Sequence, residues 1–97
     1  MQRGVLREQG GESETAVTDY SEAIRLAPAN ALAHFNRGNA QDQLGRFEEA
    51  ISDYSQAIKL DPKEPDYFNN RGQAYDHKGQ HDQAIADYTE AIKLDAG

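Results

Sequence analysis

Residues 31–64 read ALAHFNRGNAQDQLGRFEEAISDYSQAIKLDPKE, and their pattern decides the fold. In the second half of this stretch Phe47, Ala50, Ile51, Tyr54, Ala57 and Ile58 recur at helical spacing and draw one apolar stripe. Glu48 and Glu49 stand near the start of that helix and Lys59 near its end, both placements complementing the helix dipole. Pro62 falls just past the end, where its missing N–H and its restriction on the preceding residue stop propagation. Ahead of this helix lies another, and Gly45 between them can supply the positive φ of a tight C-terminal turn. The stretch therefore reads helix, turn, helix.

Working outward, the same unit recurs on both sides. A shift of 34 residues brings nine columns into threefold identity without a gap: Arg3/Arg37/Arg71, Gly4/Gly38/Gly72, Gly11/Gly45/Gly79, Ala16/Ala50/Ala84, Asp19/Asp53/Asp87, Tyr20/Tyr54/Tyr88, Ala23/Ala57/Ala91, Ile24/Ile58/Ile92 and Leu26/Leu60/Leu94. A fixed period of this size marks a stacked repeat, because one unit cannot bury its own apolar face and needs neighbours to do so. The spacing predicts six helices, over 1–9, 13–26, 31–44, 47–60, 65–78 and 81–94. They group as one continuous domain of three units, 1–30 (truncated at its N-terminus), 31–64 and 65–97. Pro28 ends one helix as Pro62 ends another, and Pro65 suits the first turn of the next. The small columns are packing sites: Gly38, Ala50 and Ala57 let backbones approach, and Tyr54 and Ile58 fill the space between units.

The run Asn36-Arg37-Gly38, Leu44-Gly45-Arg46-Phe47-Glu48-Glu49-Ala50-Ile51, Tyr54, Ala57-Ile58, Leu60-Asp61-Pro62 resembles the tetratricopeptide repeat. The resemblance covers essentially the whole chain and implies an all-α, right-handed solenoid of three helix pairs. It departs from the family pattern where His34 replaces a first-helix aromatic, where Arg7 and Gln41 replace a Tyr, at His81 and at Ala96.

Composition narrows the function. Ten Lys and Arg against seventeen Asp and Glu give a net charge of −7 over 97 residues, with the cations scattered. Nucleic-acid and anionic-membrane surfaces need clustered cations, so neither is expected as a partner. No cysteine means no disulfide framework, thiolate zinc site or redox motif, which is compatible with a reducing, cytoplasmic setting. The apolar runs are two or three residues long, too short to span a bilayer, and Met1-Gln2-Arg3-Gly4 does not lead into a signal peptide's apolar stretch.

On the side of the first helix turned away from Gly38, the middle unit carries Leu32, Phe35, Asn36, Asn39, Asp42 and Gln43. The third unit offers Asp66, Asn69, Asn70, Gln73, Asp76 and His77, and the first offers Gln2, Val5, Glu8 and Gln9. The resemblance implies that this stripe lines a concave groove that receives a segment of a partner. Its Asn and Gln side chains can hydrogen-bond a peptide backbone in either direction. Its acids face no Lys or Arg, so a basic or neutral peptide is expected over an acidic one. The family's best-known ligands are acidic chain ends held by a clamp of Lys, Arg and Asn. Here Met1, Val5, Asp66 and Asn70 stand where a Lys, an Asn, a Lys and an Arg belong, so that clamp is rejected. The expected function is a non-catalytic scaffold for protein–protein interaction. A structural spacer in a longer array and an accessory domain of a larger enzyme are the alternatives.

Nothing points to catalysis or a cofactor. His77 and His81 are four apart, but Gly79 breaks the helix between them and no third metal ligand is evident. No glycine loop cradles a phosphate, and no two carboxylates stand out as acid and base. His34 falls on the buried stripe, where packing with one hydrogen bond is expected. The Arg and Asp columns read as hydrogen-bonded ion pairs within or between units, with the pairing left open. Tyr88, Ala91 and Ile92 repeat packing columns with no following helix to shield them. The chain is therefore expected to be part of a longer array or a homo-oligomer assembled through its uncapped ends.

Overall fold

Punctuation in the sequence becomes helix ends in the structure. The computed structural model describes residues 2–96, with side chains from residue 11 onward. They form α1 (Gln2–Leu26), α2 (Ala31–Gln43), α3 (Phe47–Leu60), α4 (Pro65–His77) and α5 (His81–Ala96), with no strand among the described residues. The Asn30 side chain accepts the Ala33 N–H and caps α2, while Glu64 caps α4 just ahead of Pro65. At the other end of α2, Gly45 takes φ +79°, and the Gly45 and Arg46 N–H groups return to the Asp42 and Gln41 carbonyls. Gly79 does the same after α4 at φ +82°.

The all-helical class holds, but the count of six helices does not. Helices expected over 1–9 and 13–26 are one continuous α1 that runs through Gly11. In the later units a side chain reaches back over the turn or on to the next unit. His81 Nδ1 lies 2.8 Å from Asp76 Oδ1, and the Phe47 ring packs 5.0 Å from that of His77. The residue matching Phe47 in the first unit is Ser13, whose hydroxyl donates across to Gln43 Oε1 at 2.8 Å, at the position that matches His77. A glycine can stay within a helix at a cost of about 1 kcal/mol relative to alanine. The described chain thus comprises one long helix followed by two helix–turn–helix units.

Within each later unit the glycine on the first helix is a contact surface. A Cβ on Gly38 would stand 2.8 Å from Tyr54 Cε1 and 3.2 Å from the Ala50 carbonyl oxygen, and Gly72 meets Tyr88 and Ala84 in the same way. Tyr54 therefore fills space inside its own unit. It also reaches the next one, forming a buried cluster with Ala50 and Ala74 against which Phe35 and Ile51 pack. Each helix touches its sequence neighbours, and α2 also meets α4, so the first helices of adjacent units lie side by side.

Candidate docking surface

The adjacency of α2 and α4 brings the polar stripe together. Asn39 Oδ1 accepts both the Tyr54 hydroxyl at 2.6 Å and Asn70 Nδ2 at 2.8 Å. Asp42 Oδ1 lies 3.1 Å from His77 Nδ1, also across the two helices. Asp76 accepts the Tyr88 hydroxyl at 3.0 Å and faces His81. Burial, and then the nearby Asp42 charge, push the Tyr54 phenol well above its ordinary range, so it remains a hydrogen-bond donor.

These contacts sort the expected site residues. Asn39, Asn70, Asp42, Asp76 and His77 are zipped to one another or to Tyr54, Tyr88 and His81. Gln43 is exposed and accepts from Ser13. Phe35 is half-buried, its ring 4.7 Å from that of Tyr67 and 5.8 Å from that of Tyr54, so packing occupies it. Asn36, Asn69, Gln73 and the Asp66 carboxylate make no side-chain hydrogen bond among the described residues, and all but half-buried Asn36 are exposed. The side chains of Gln2, Val5, Glu8 and Gln9 lie outside the described residues.

Beside the stripe, the Arg and Asp columns pair within a unit. Arg37 donates from Nε and Nη2 to both Asp53 carboxylate oxygens at 2.7 and 2.8 Å, and Arg71 grips Asp87 identically at 2.7 Å. Each guanidinium also reaches into the preceding unit, Arg37 Nη1 to Ser21 Oγ and Arg71 Nη1 to Ser55 Oγ. The hydrogen bond to the carboxylate raises both guanidinium pKa values further. Sequence reasoning missed these serines, although Ser21, Ser55 and Thr89 keep the 34-residue spacing. It also missed buried Gln41, whose amide, turned to donate, reaches Asp53 Oδ2 at 2.9 Å and the Glu49 carbonyl at 3.0 Å. His34 is buried with Nε2 3.0 Å from the Pro28 carbonyl oxygen, the single bond expected of it.

No three His, Cys, Asp or Glu side chains among the described residues are grouped to hold a metal ion. His77 and His81 each face a separate aspartate. No helix among the described residues is long and apolar enough to cross a membrane. What the surface can do chemically is offer amide and carboxylate groups to a polar or cationic segment.

Comparison with known proteins agrees with the helical-repeat fold. The tetratricopeptide repeat family model matches residues 31–64 and 65–96, and a second TPR repeat model matches 6–45. A human protein, tetratricopeptide repeat protein 6, is 49% identical over 37 residues, which is 38% of this chain and 7% of that protein. Among solved structures, MamA MSR-1 superposes with a TM-score of 0.85 at 30% identity, covering 94% of this chain and 51% of its own. MamA 41-end from Desulfovibrio magneticus RS-1 gives 0.85 at 26% identity, covering 95% and 51%. The chain thus spans about half the length of the MamA chains and a small part of the human protein.

Proposed function

Since this chain belongs to the tetratricopeptide repeat family, we propose that it is a non-catalytic protein–protein interaction scaffold that docks a partner's peptide segment on the α2–α4 stripe. One observation carries the reading. Two adjacent helices align Asn36, Gln73, Asp42, Asp66 and Asp76 on one surface, and that stripe has no Lys or Arg among its described residues. The zipped pairs, Asn39 with Asn70 and Asp42 with His77, hold the helices in register, while no described residue bonds the Asn36 or Gln73 amide. A segment bearing Lys or Arg gains charge complementarity that an acidic one lacks.

Titration calorimetry with basic and acidic peptides of equal length tests the proposal. Basic peptides are expected to bind more tightly at low salt, with affinity falling toward physiological salt as screening grows. Asn36→Ala/Gln73→Ala should weaken binding without loss of helicity. Asn70 is a poorer probe because its removal breaks the bond to Asn39. Tighter binding of the acidic peptide, or affinity indifferent to the double variant, would refute the proposal.

A further inference from the structure

The third unit sets two histidines beside the carboxylates of the stripe, where the middle unit sets none. His77 ends α4 and His81 opens α5, and at the matching positions of the middle unit stand Gln43 and Phe47, neither of which titrates. Each imidazole meets one aspartate of the stripe. The His77 ring lies 5.0 Å from that of Phe47 and brings Nδ1 within 3.1 Å of Asp42 Oδ1. His81 brings Nδ1 within 2.8 Å of Asp76 Oδ1. Asp66 is the third carboxylate of the stripe among the described residues, and neither histidine pairs with it. The two imidazole side chains are 51% and 70% exposed, so protons and ligands reach both.

The charges around them are mostly acidic. His77 faces Asp42 on α2 and Phe47 on α3, while Glu48 of α3 is bonded to Lys78, the next residue after His77. Helix α5 packs only against α4 among the described residues, so His81 meets Asp76 there and has Asp82 beside it in sequence. Asp76 senses both imidazoles, and the His81 hydrogen bond, then that of Tyr88, hold its carboxyl below the ordinary value. Tyr88 shares Asp76, but burial, and then its bond to that carboxylate, push the phenol up, so it stays a neutral donor. Over about pH 5 to 8 histidine is the side chain whose charge ordinarily changes, while aspartate and lysine keep theirs.

We propose that His77 and His81 form a proton-operated gate on the docking stripe: neutral, they leave the charge of Asp42 and Asp76 to a lysine or arginine of the ligand, and protonated, they neutralise it themselves. Such a gate rests on the scaffold reading and adds its regulation. A neutral imidazole protonated at Nδ1 donates one N–H to its aspartate and brings no charge. A second proton turns each contact into a charge-assisted bond, and an incoming cation must then displace an imidazolium or sit beside one. Two of the three carboxylates are thereby countered. Affinity for a basic segment is therefore high above the histidine range and falls as pH drops through it. The coupling is reciprocal, so a docked cation disfavours the imidazolium and expels protons.

Titration calorimetry of the whole chain at low salt, with a capped Gly/Ser peptide bearing lysines, tests the gate. From about pH 5.5 to about pH 7.5 affinity is expected to rise roughly three- to tenfold, the scale of two exposed charge pairs. Near the middle of that range, titrations in buffers of different ionisation heat should reveal protons released on binding. His77→Gln/His81→Gln keeps a hydrogen-bond donor near each aspartate without the charge, and should flatten the profile and abolish the release. Both positions are exposed, so its circular dichroism should match the unaltered chain. If it does not, His81→Gln alone should still reduce the release. Buried His34, bonded to the Pro28 carbonyl, is retained in these variants. A pH dependence that survives the double substitution therefore overturns the gate. Affinity that is flat with pH, yet still lost in Asn36→Ala/Gln73→Ala, overturns the gate and leaves the scaffold reading standing. No binding of the lysine peptide at any pH overturns both.

Discussion

Arg37 and Arg46 are both charged, both paired, and separated by nine positions, yet their surroundings give them different weight. The Asp53 carboxylate is 7% exposed and takes two bonds from Arg37, so Arg37→Ala strips most of the compensation from a buried charge. A loss of about 1–3 kcal/mol is expected. Arg46 meets Glu14 at 2.6 Å, but both side chains are well exposed to solvent, and Arg46→Ala should cost about 0.5 kcal/mol or less. Urea midpoints compare the two directly, and equal shifts would deprive the buried pair of its structural role. A different pair responds to acid. The hydrogen bond to His81, and then that to Tyr88, hold the Asp76 carboxyl below its ordinary value of 3.8. Its contribution to stability is therefore present above that value and lost as pH falls through the lower, folded one. His81→Ala should move the Asp76 midpoint upward in an NMR titration; a midpoint that stays put would show that the imidazole contributes nothing.

Elements show where reading a repeat by rule fails. Gly11, Gly45 and Gly79 occupy one column, and the sequence suggests one role for all three, yet only Gly45 and Gly79 adopt positive φ. Gly11 is helical, and an added Cβ there meets nothing within 4 Å. Gly11→Ala is thus expected to raise stability by about 0.5–1 kcal/mol. Gly45→Ala, forced into left-handed backbone at φ +79°, should lower it by about 1–2 kcal/mol. Opposite signs within one column, read from thermal melts, would establish the continuity of α1. Two losses would instead restore the turn at Gly11. The later helices were legible because the apolar stripe agreed with the glycine and proline punctuation, as at Gly45, Pro62 and Pro65. The fate of Gly11 was not, because one column of glycines gives all three the same signal and periodicity does not report which of them takes positive φ.

At the scale of the whole molecule, the stripe was legible as a surface but not as a set of bonds. Helical phase places Asn39, Asp42, Asn70 and His77 on one side, whereas their mutual pairing depends on how closely α2 approaches α4. The same neighbour-only architecture governs cooperativity. Helices α2, α3 and α4 each pack against at least two others, and of the fully buried Ala50, Ala57, Ala74 and Ala84 only Ala84 lies outside them, on α5. By contrast α1 has α2 as its only partner helix among the described residues, and α5 has only α4. Stability in such a stack is close to a sum of unit and interface terms, so opening should begin where one interface, not two, must be broken. Native-state hydrogen exchange is expected to be slowest in α2, α3 and α4 and to quicken in both α1 and α5. An Ile51→Ala variant, which thins the contact between α3 and the buried Tyr54–Ala74 cluster, should erode protection in α3 and α4 first. A profile equally slow in all five helices, falling uniformly in the variant, would mean that the chain opens as one all-or-none unit and that the neighbour-only contacts do not set its cooperativity.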